Sequence, residues 1–80
     1  MNTQNTTEER VHKVLTDISG NEKITNDQNL TTDLGLSSLR MFELVIAIED
    51  EFNIMFNQSD LNFYKLNNVG ELIALIDTYL

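Results

Sequence analysis

Hydrophobic side chains recur at helical spacing near both ends of the chain. At the start, Thr6 and Glu9 are spaced as a capping box, and four aliphatic positions follow before Gly20: Val11, Val14, Leu15 and Ile18. At the end, Asn68 and Glu71 have the same spacing, and the apolar positions are Val69, Leu72, Ile73, Ile76, Tyr79 and Leu80. These patterns predict an amphipathic helix in each segment.

A middle helix is predicted to begin at Ser37 or Ser38 and to end near Phe52, and it carries two apolar stripes. One stripe is expected to face a core and comprises Met41, Val45, Ile48 and Phe52. The other is bordered by acidic residues and comprises Leu39, Phe42 and Ile46. Because one small core hardly needs both faces of a helix, we expect the second stripe to dock partners. The alternative is that a long loop covers it.

The remaining segments predict a long loop and a short helix. Residues 20–36 are rich in Asn, Asp, Thr and Gly, and isolated aliphatic side chains are expected to pin this loop: Ile24, Leu30, Leu34 and Leu36. Ser59 can cap a short helical turn over residues 60–64. No alternating pattern predicts a strand. We therefore expect an all-α fold, a small four-helix bundle with three longer helices, one short helix and a long first loop.

Length and composition limit the function classes. The 80 residues are 41% hydrophobic and 22% charged, which predicts one small folded domain over 1–80, with 1–5 disordered. The chain has no cysteine, so disulfides and thiolate metal sites are excluded. The apolar runs are short and the first residues are polar. We expect a cytoplasmic protein without stable membrane insertion.

Charge indicates the kind of partner. Thirteen acidic and 5 basic residues give a net charge of −8, which opposes nucleic acid and favours basic protein surfaces. Between Arg40 and Lys65 the chain has five acidic residues and no basic one, so its middle is its most anionic part. We expect a monomer with no nucleic-acid partner.

Two catalytic or metal-binding classes fit poorly. The single histidine, His12, is expected to be exposed on the polar side of the first helix, and residues 35–39 do not match the Gly-x-Ser-x-Gly elbow of esterases. No segment has the ligand spacing of an EF-hand, which disfavours calcium sensing.

Residues 33–39, Asp-Leu-Gly-Leu-Ser-Ser-Leu, place a serine after a glycine turn at the start of the middle helix. Residues 43–52 continue as Glu-Leu-Val-Ile-Ala-Ile-Glu-Asp-Glu-Phe, and residues 68–73 are Asn-Val-Gly-Glu-Leu-Ile. Over nearly the whole chain this resembles the acyl carrier protein family, whose hallmark is Asp-Ser-Leu after a Leu-Gly turn. The resemblance implies a bundle of the acyl-carrier type, with no catalytic activity of its own.

The resemblance also implies the site residues. Ser38 aligns with the serine that receives 4'-phosphopantetheine from coenzyme A, and the thiol of this arm carries the cargo as a thioester. The middle helix is the family's recognition surface. We call its predicted contact residues the docking face: Leu39, Arg40, Phe42, Glu43, Ile46, Glu49 and Asp50. Charge reversal at Glu43 or Glu49 is expected to weaken partner turnover without unfolding the domain.

Two departures from the family pattern indicate a specialised carrier. Ser37 replaces the aspartate before the serine, and Arg40 occupies a position that is often acidic. Both departures change the electrostatic field that the usual holo-synthase meets at the rim of the site. We expect a carrier in a fatty-acid or polyketide-type pathway, whose partners are a phosphopantetheinyl transferase and acyltransferase, ligase or synthase enzymes with basic docking surfaces.

Alternatives remain at the level of function and of single residues. The chain could be an aminoacyl (peptidyl or D-alanyl) carrier, or an unmodified acidic helical adaptor in which Ser38 is only a helix cap. The core stripe, with Ile18, Phe63 and Ile76, is expected to enclose an acyl cargo, and the alternative is ordinary packing.

Overall fold

The computed structural model describes residues 6–60 and 67–80, which contain the helices α1 (Thr6–Ser19), α2 (Ser38–Phe52) and α3 (Val69–Tyr79). Within these ranges no strand forms, and an isolated antiparallel bridge pairs Asn29 with Asn68. The all-α class and the three longer helices are therefore confirmed. None of the helices described is long and apolar enough to cross a membrane.

The predicted fourth helix is not confirmed. A 3-10 turn, Gln58–Asp60, forms there, and Ser59 lies within it. The rest of the predicted element, residues 61–64, lies outside the described residues.

Side-chain caps begin both α2 and α3. Ser37 is the N-cap of α2, and its Oγ accepts a hydrogen bond from Arg40 N at 3.3 Å. Asn68 is the N-cap of α3, and its Oδ1 accepts from Glu71 N at 2.8 Å. Glu71 Oε1 accepts in return from Asn67 N at 2.9 Å, one residue before the cap. The capping-box-like start predicted for the last helix is confirmed, with this one-residue shift.

One apolar core joins the three helices and the long loop. The predicted core stripe of α2 is buried, together with Leu44. From the loop, Leu30, Leu34 and Leu36 are each at most 5% exposed, and Ile24 packs against the edge of the core. Burial of these isolated aliphatic residues holds the loop in place, as predicted.

Backbone hydrogen bonds attach the long loop to the start of α3. Leu30 N donates to Asn67 O at 2.8 Å, and Val69 N donates to Gln28 O at 3.1 Å. The loop therefore crosses from α1 to α2 along a path that α3 fixes.

Asn26 connects this loop to two helices. Its carbonyl accepts from Gly70 N at 2.8 Å, and a Cβ on Gly70 would lie 3.3 Å from that oxygen, a tight approach that glycine avoids. Its Oδ1 lies 2.7 Å from His12 Nε2, an arrangement in which the ring N–H donates. The hydrogen bond ties His12 to the loop, and the residue is half-buried, which corrects the expectation that it is exposed.

Candidate functional site

The two serines at the start of α2 have different roles. Ser37 has extended backbone (ψ 173°) and caps the helix, whereas Ser38 is its first residue. Both are exposed on the surface. The interpretation of Ser38 as the cap of α2 is therefore wrong, and the capping interaction does not require its hydroxyl.

The loop before Ser38 presents this serine to solvent. Leu34 and Leu36 are buried on either side of Gly35, and Leu36 N donates to Leu30 O at 3.1 Å. Gly35 has a positive φ of 71°, which favours glycine, and a Cβ at this position would have no atom within 4 Å. The buried leucines anchor the turn, and open space lies beside the exposed end of α2.

The environment of Ser38 fits a covalently attached phosphodiester. The N–H groups of the first turn of a helix have no carbonyl partner within the helix, and the helix dipole favours an anion there. The first turn of α2 contains no acidic residue to repel it. Its neighbours Ser37, Leu39 and Arg40 are exposed, so no buried side chain has to move to admit the group.

The second apolar stripe of α2 is exposed. Leu39, Phe42 and Ile46 are 66%, 58% and 52% exposed, so the alternative that the long loop covers them is wrong. Met55, which follows α2, is 81% exposed. The sequence pattern missed Met55 because it lies outside the helical repeat, between two aliphatic or aromatic neighbours. The role of the stripe in docking stays a prediction.

The charged members of the docking face have different surroundings. Arg40 Nη1 lies 2.9 Å from Glu43 Oε1, and their side chains are 57% and 46% exposed. Asp50 is exposed. Glu49 is half-buried, and its Oε2 accepts from Phe56 N at 2.9 Å. Glu49 therefore has a structural role, and reversing its charge is expected to destabilise the fold, unlike reversal at Glu43.

Glu51 also belongs to a structural contact. Arg10 Nε on α1 lies 2.8 Å from Glu51 Oε2, and the same guanidinium donates to the Glu51 carbonyl. It also lies 4.3 Å from the centre of the Phe52 ring. This contact, which the sequence pattern did not indicate, ties α1 to the end of α2.

The proposed cargo-enclosing residues are only partly described. Ile76 is fully buried and Ile18 packs against the core, whereas Phe63 lies outside the described residues. Enclosure of a cargo stays a prediction.

Comparison with known proteins identifies the family. Residues 9–76 match the model of the phosphopantetheine attachment site. The acyl carrier protein of Cyanidium caldarium is 41% identical over 76 residues, which cover 89% of this chain and 86% of that protein. The acyl carrier protein of Akkermansia muciniphila is 35% identical over 75 residues, 91% of each chain.

The fold agrees with this assignment. A solved structure of a candidate acyl carrier protein from Mycobacterium tuberculosis superposes with a TM-score of 0.81 and 30% identity, covering 90% of this chain and 96% of that one. Members of the family carry a covalent 4'-phosphopantetheine and serve as carriers, not as enzymes. The family model, the curated relatives and the all-helical fold together show that this chain belongs to the acyl carrier protein family.

Proposed function

We propose that Ser38 carries the 4'-phosphopantetheine arm and that α2 docks the enzymes which load and use it. The observation that carries this proposal is the division between the two serines. Ser37 caps α2, which leaves the exposed hydroxyl of Ser38 at the positive end of the helix. The arm, when attached, supplies the thiol that forms a thioester with the cargo.

The docking face has the chemistry of a transient contact. Its exposed apolar side chains, Leu39, Phe42 and Ile46, lie on the same helix as the acidic Glu43 and Asp50. The apolar side chains supply a surface for a partner to contact, and complementary charge speeds association. The proposed partners are a phosphopantetheinyl transferase and acyltransferase, ligase or synthase enzymes with basic docking surfaces.

The finer assignments belong to the same proposal. The departures from the family pattern at Ser37 and Arg40 support a specialised fatty-acid or polyketide-type pathway. The acyl carrier proteins among the relatives favour an acyl cargo over an aminoacyl cargo. Cytoplasmic location, a monomeric state and a single domain over 1–80 rest on the composition.

The test is the intact mass of the protein after incubation with coenzyme A and a broad-specificity phosphopantetheinyl transferase. We expect a phosphopantetheine-sized gain in wild type and in Ser37→Ala, and no gain in Ser38→Ala. Ser37→Ala is the matched control because it removes the neighbouring hydroxyl. A housekeeping holo-synthase, used in parallel, should modify the wild type more slowly.

Other outcomes contradict specific parts of the proposal. A gain that is lost in Ser37→Ala and kept in Ser38→Ala would move the attachment site to Ser37. No gain in a sample that circular dichroism shows to be folded, with either transferase, would favour the unmodified adaptor. Equal rates with the two transferases would argue against a specialised carrier.

A further inference from the structure

Arg40 is the one basic residue between Lys23 and Lys65, and it lies two positions after Ser38. Its side chain is 57% exposed, and its Nη1 lies 2.9 Å from Oε1 of Glu43, about one turn further along α2. The docking face therefore has a positive charge at its Ser38 end and negative charges beyond it.

The position of Arg40 is a poor one for the stability of α2. It lies in the first turn, where the helix dipole favours acidic side chains and opposes a cation. In its pair with Glu43 the basic residue precedes the acidic one, which is the weaker of the two orientations on a helix. An exposed pair of this kind contributes little to folding, so a partner can separate the two side chains easily.

We propose that Arg40 is a specificity-determining residue, which selects a partner enzyme that presents a carboxylate beside Ser38 and a basic group to Glu43. The proposal rests on the assignment of Ser38 above. A partner carboxylate that replaces Glu43 at the guanidinium forms a charge-assisted hydrogen bond. Glu43 is then available to a basic side chain. A partner whose surface is uniformly basic meets a like charge at Arg40.

The first measurement is kcat/KM for phosphopantetheine transfer to the apo protein at low salt, by a transferase with a uniformly basic docking surface. Apo protein is used so that the phosphate of the arm does not influence Arg40. We expect Arg40→Glu to raise kcat/KM about fivefold to tenfold, because a repulsive contact becomes attractive. Lys13→Glu is the matched control, since it makes the same charge change at an exposed position of α1. Lys13→Glu should change kcat/KM much less, and high salt should remove the difference in kcat/KM between the two variants.

The second measurement exchanges charges between the two proteins. The basic residues of the transferase docking surface are replaced by glutamate one at a time. At least one replacement should speed modification of the wild type and slow modification of Arg40→Glu, relative to the parent transferase. Circular dichroism and Tm establish that each carrier variant is folded.

The outcomes separate this inference from the proposed function. Equal effects of Arg40→Glu and Lys13→Glu on kcat/KM overturn the role of Arg40. The same follows if no substitution in the transferase has opposite effects on wild type and Arg40→Glu. In both cases Ser38-dependent modification still supports the carrier function. Absence of Ser38-dependent modification with every transferase overturns both.

Discussion

At the residue scale, Tyr79 shows how one side chain joins distant parts of the chain. Its ring packs edge-to-face on Phe56, with centroids 5.0 Å apart and an interplanar angle of 81°. Its hydroxyl accepts from Asn57 N at 2.8 Å and donates to Asp60. The Asn57 N–H lowers the pKa of Tyr79, but the hydrogen bond to Asp60, desolvation and the Asp60 charge outweigh it and raise the pKa above 10.0.

Tyr79→Phe should therefore change the alkaline stability of the protein. A raised pKa means that the folded state favours the neutral phenol. The contribution of the phenol to the free energy of unfolding is therefore complete below the ordinary pKa of 10.0 and is lost as pH rises through the pKa in the folded state. We expect the difference in free energy of unfolding between wild type and Tyr79→Phe to decrease as pH rises above 10.0 and through the pKa in the folded state. Urea unfolding at a series of pH values measures it, and parallel pH profiles for the two proteins would contradict it.

At the element scale, the end of α2 depends on contacts that lie outside the helical repeat. Asn53 adopts the left-handed conformation (φ 56°, ψ 48°) and its N–H donates to Glu49 O, which also accepts from Ile54 N at 3.1 Å. The Glu49 side chain then accepts from Phe56 N. Glu49 thus accepts the last hydrogen bonds of the helix through its carbonyl and holds the following segment through its carboxylate.

Glu49→Ala is expected to destabilise the fold by about 1–2 kcal/mol, because the N–H of the buried Phe56 loses its acceptor. Glu49→Gln keeps an oxygen at this position and should lose much less. Asp50→Ala is the matched control, since Asp50 is the exposed neighbour on the same helix. Urea denaturation gives the three values. An equal loss in Glu49→Ala and Asp50→Ala would show that the contact with Phe56 does not contribute.

At the scale of the whole molecule, some of the acidic residues that give the net charge of −8 also make contacts within the fold. Glu49 and Glu51 make contacts within the fold, although the Glu51 side chain is still 41% exposed, and Asp50, between them in the sequence, is exposed as well. Glu43 is exposed but paired with Arg40. Fewer acidic side chains of α2 are therefore available to a basic partner than the sequence contains, and Asp50 is the exposed one to which none of these contacts is assigned.

Asp50→Lys is expected to lower kcat/KM of a basic-surfaced transferase about threefold to tenfold at low salt, because exposed charges act mainly on the association rate. Asp17→Lys makes the same charge change at an exposed position of α1 and should have a smaller effect. Rates measured over a range of salt concentrations test whether the effect is electrostatic. Equal effects of the two substitutions would place the docking surface elsewhere or show that only net charge matters.

Local information was enough to predict the three helices and the exposed apolar stripe of α2. The apolar repeat predicts α1, α2 and α3 because a helix buries one face and repeats every 3.6 residues. The same repeat separates the exposed Leu39, Phe42 and Ile46 from the buried stripe of α2. The helical repeat alone predicts only that α2 begins at Ser37 or Ser38, and it is the resemblance of Leu-Gly-Leu-Ser-Ser-Leu to the family motif that indicates Ser38.

Only the tertiary structure decided which polar residues stabilise the fold. Arg10 meets Glu51 across 41 positions, and His12 meets Asn26 across 14, separations that no helical repeat encodes. Glu49 and Asp50 are adjacent acids, yet one is held by Phe56 and the other faces solvent. The physical reason is that hydrophobic periodicity reports which face of a helix is buried, whereas the partner of a polar group depends on how separate elements pack together.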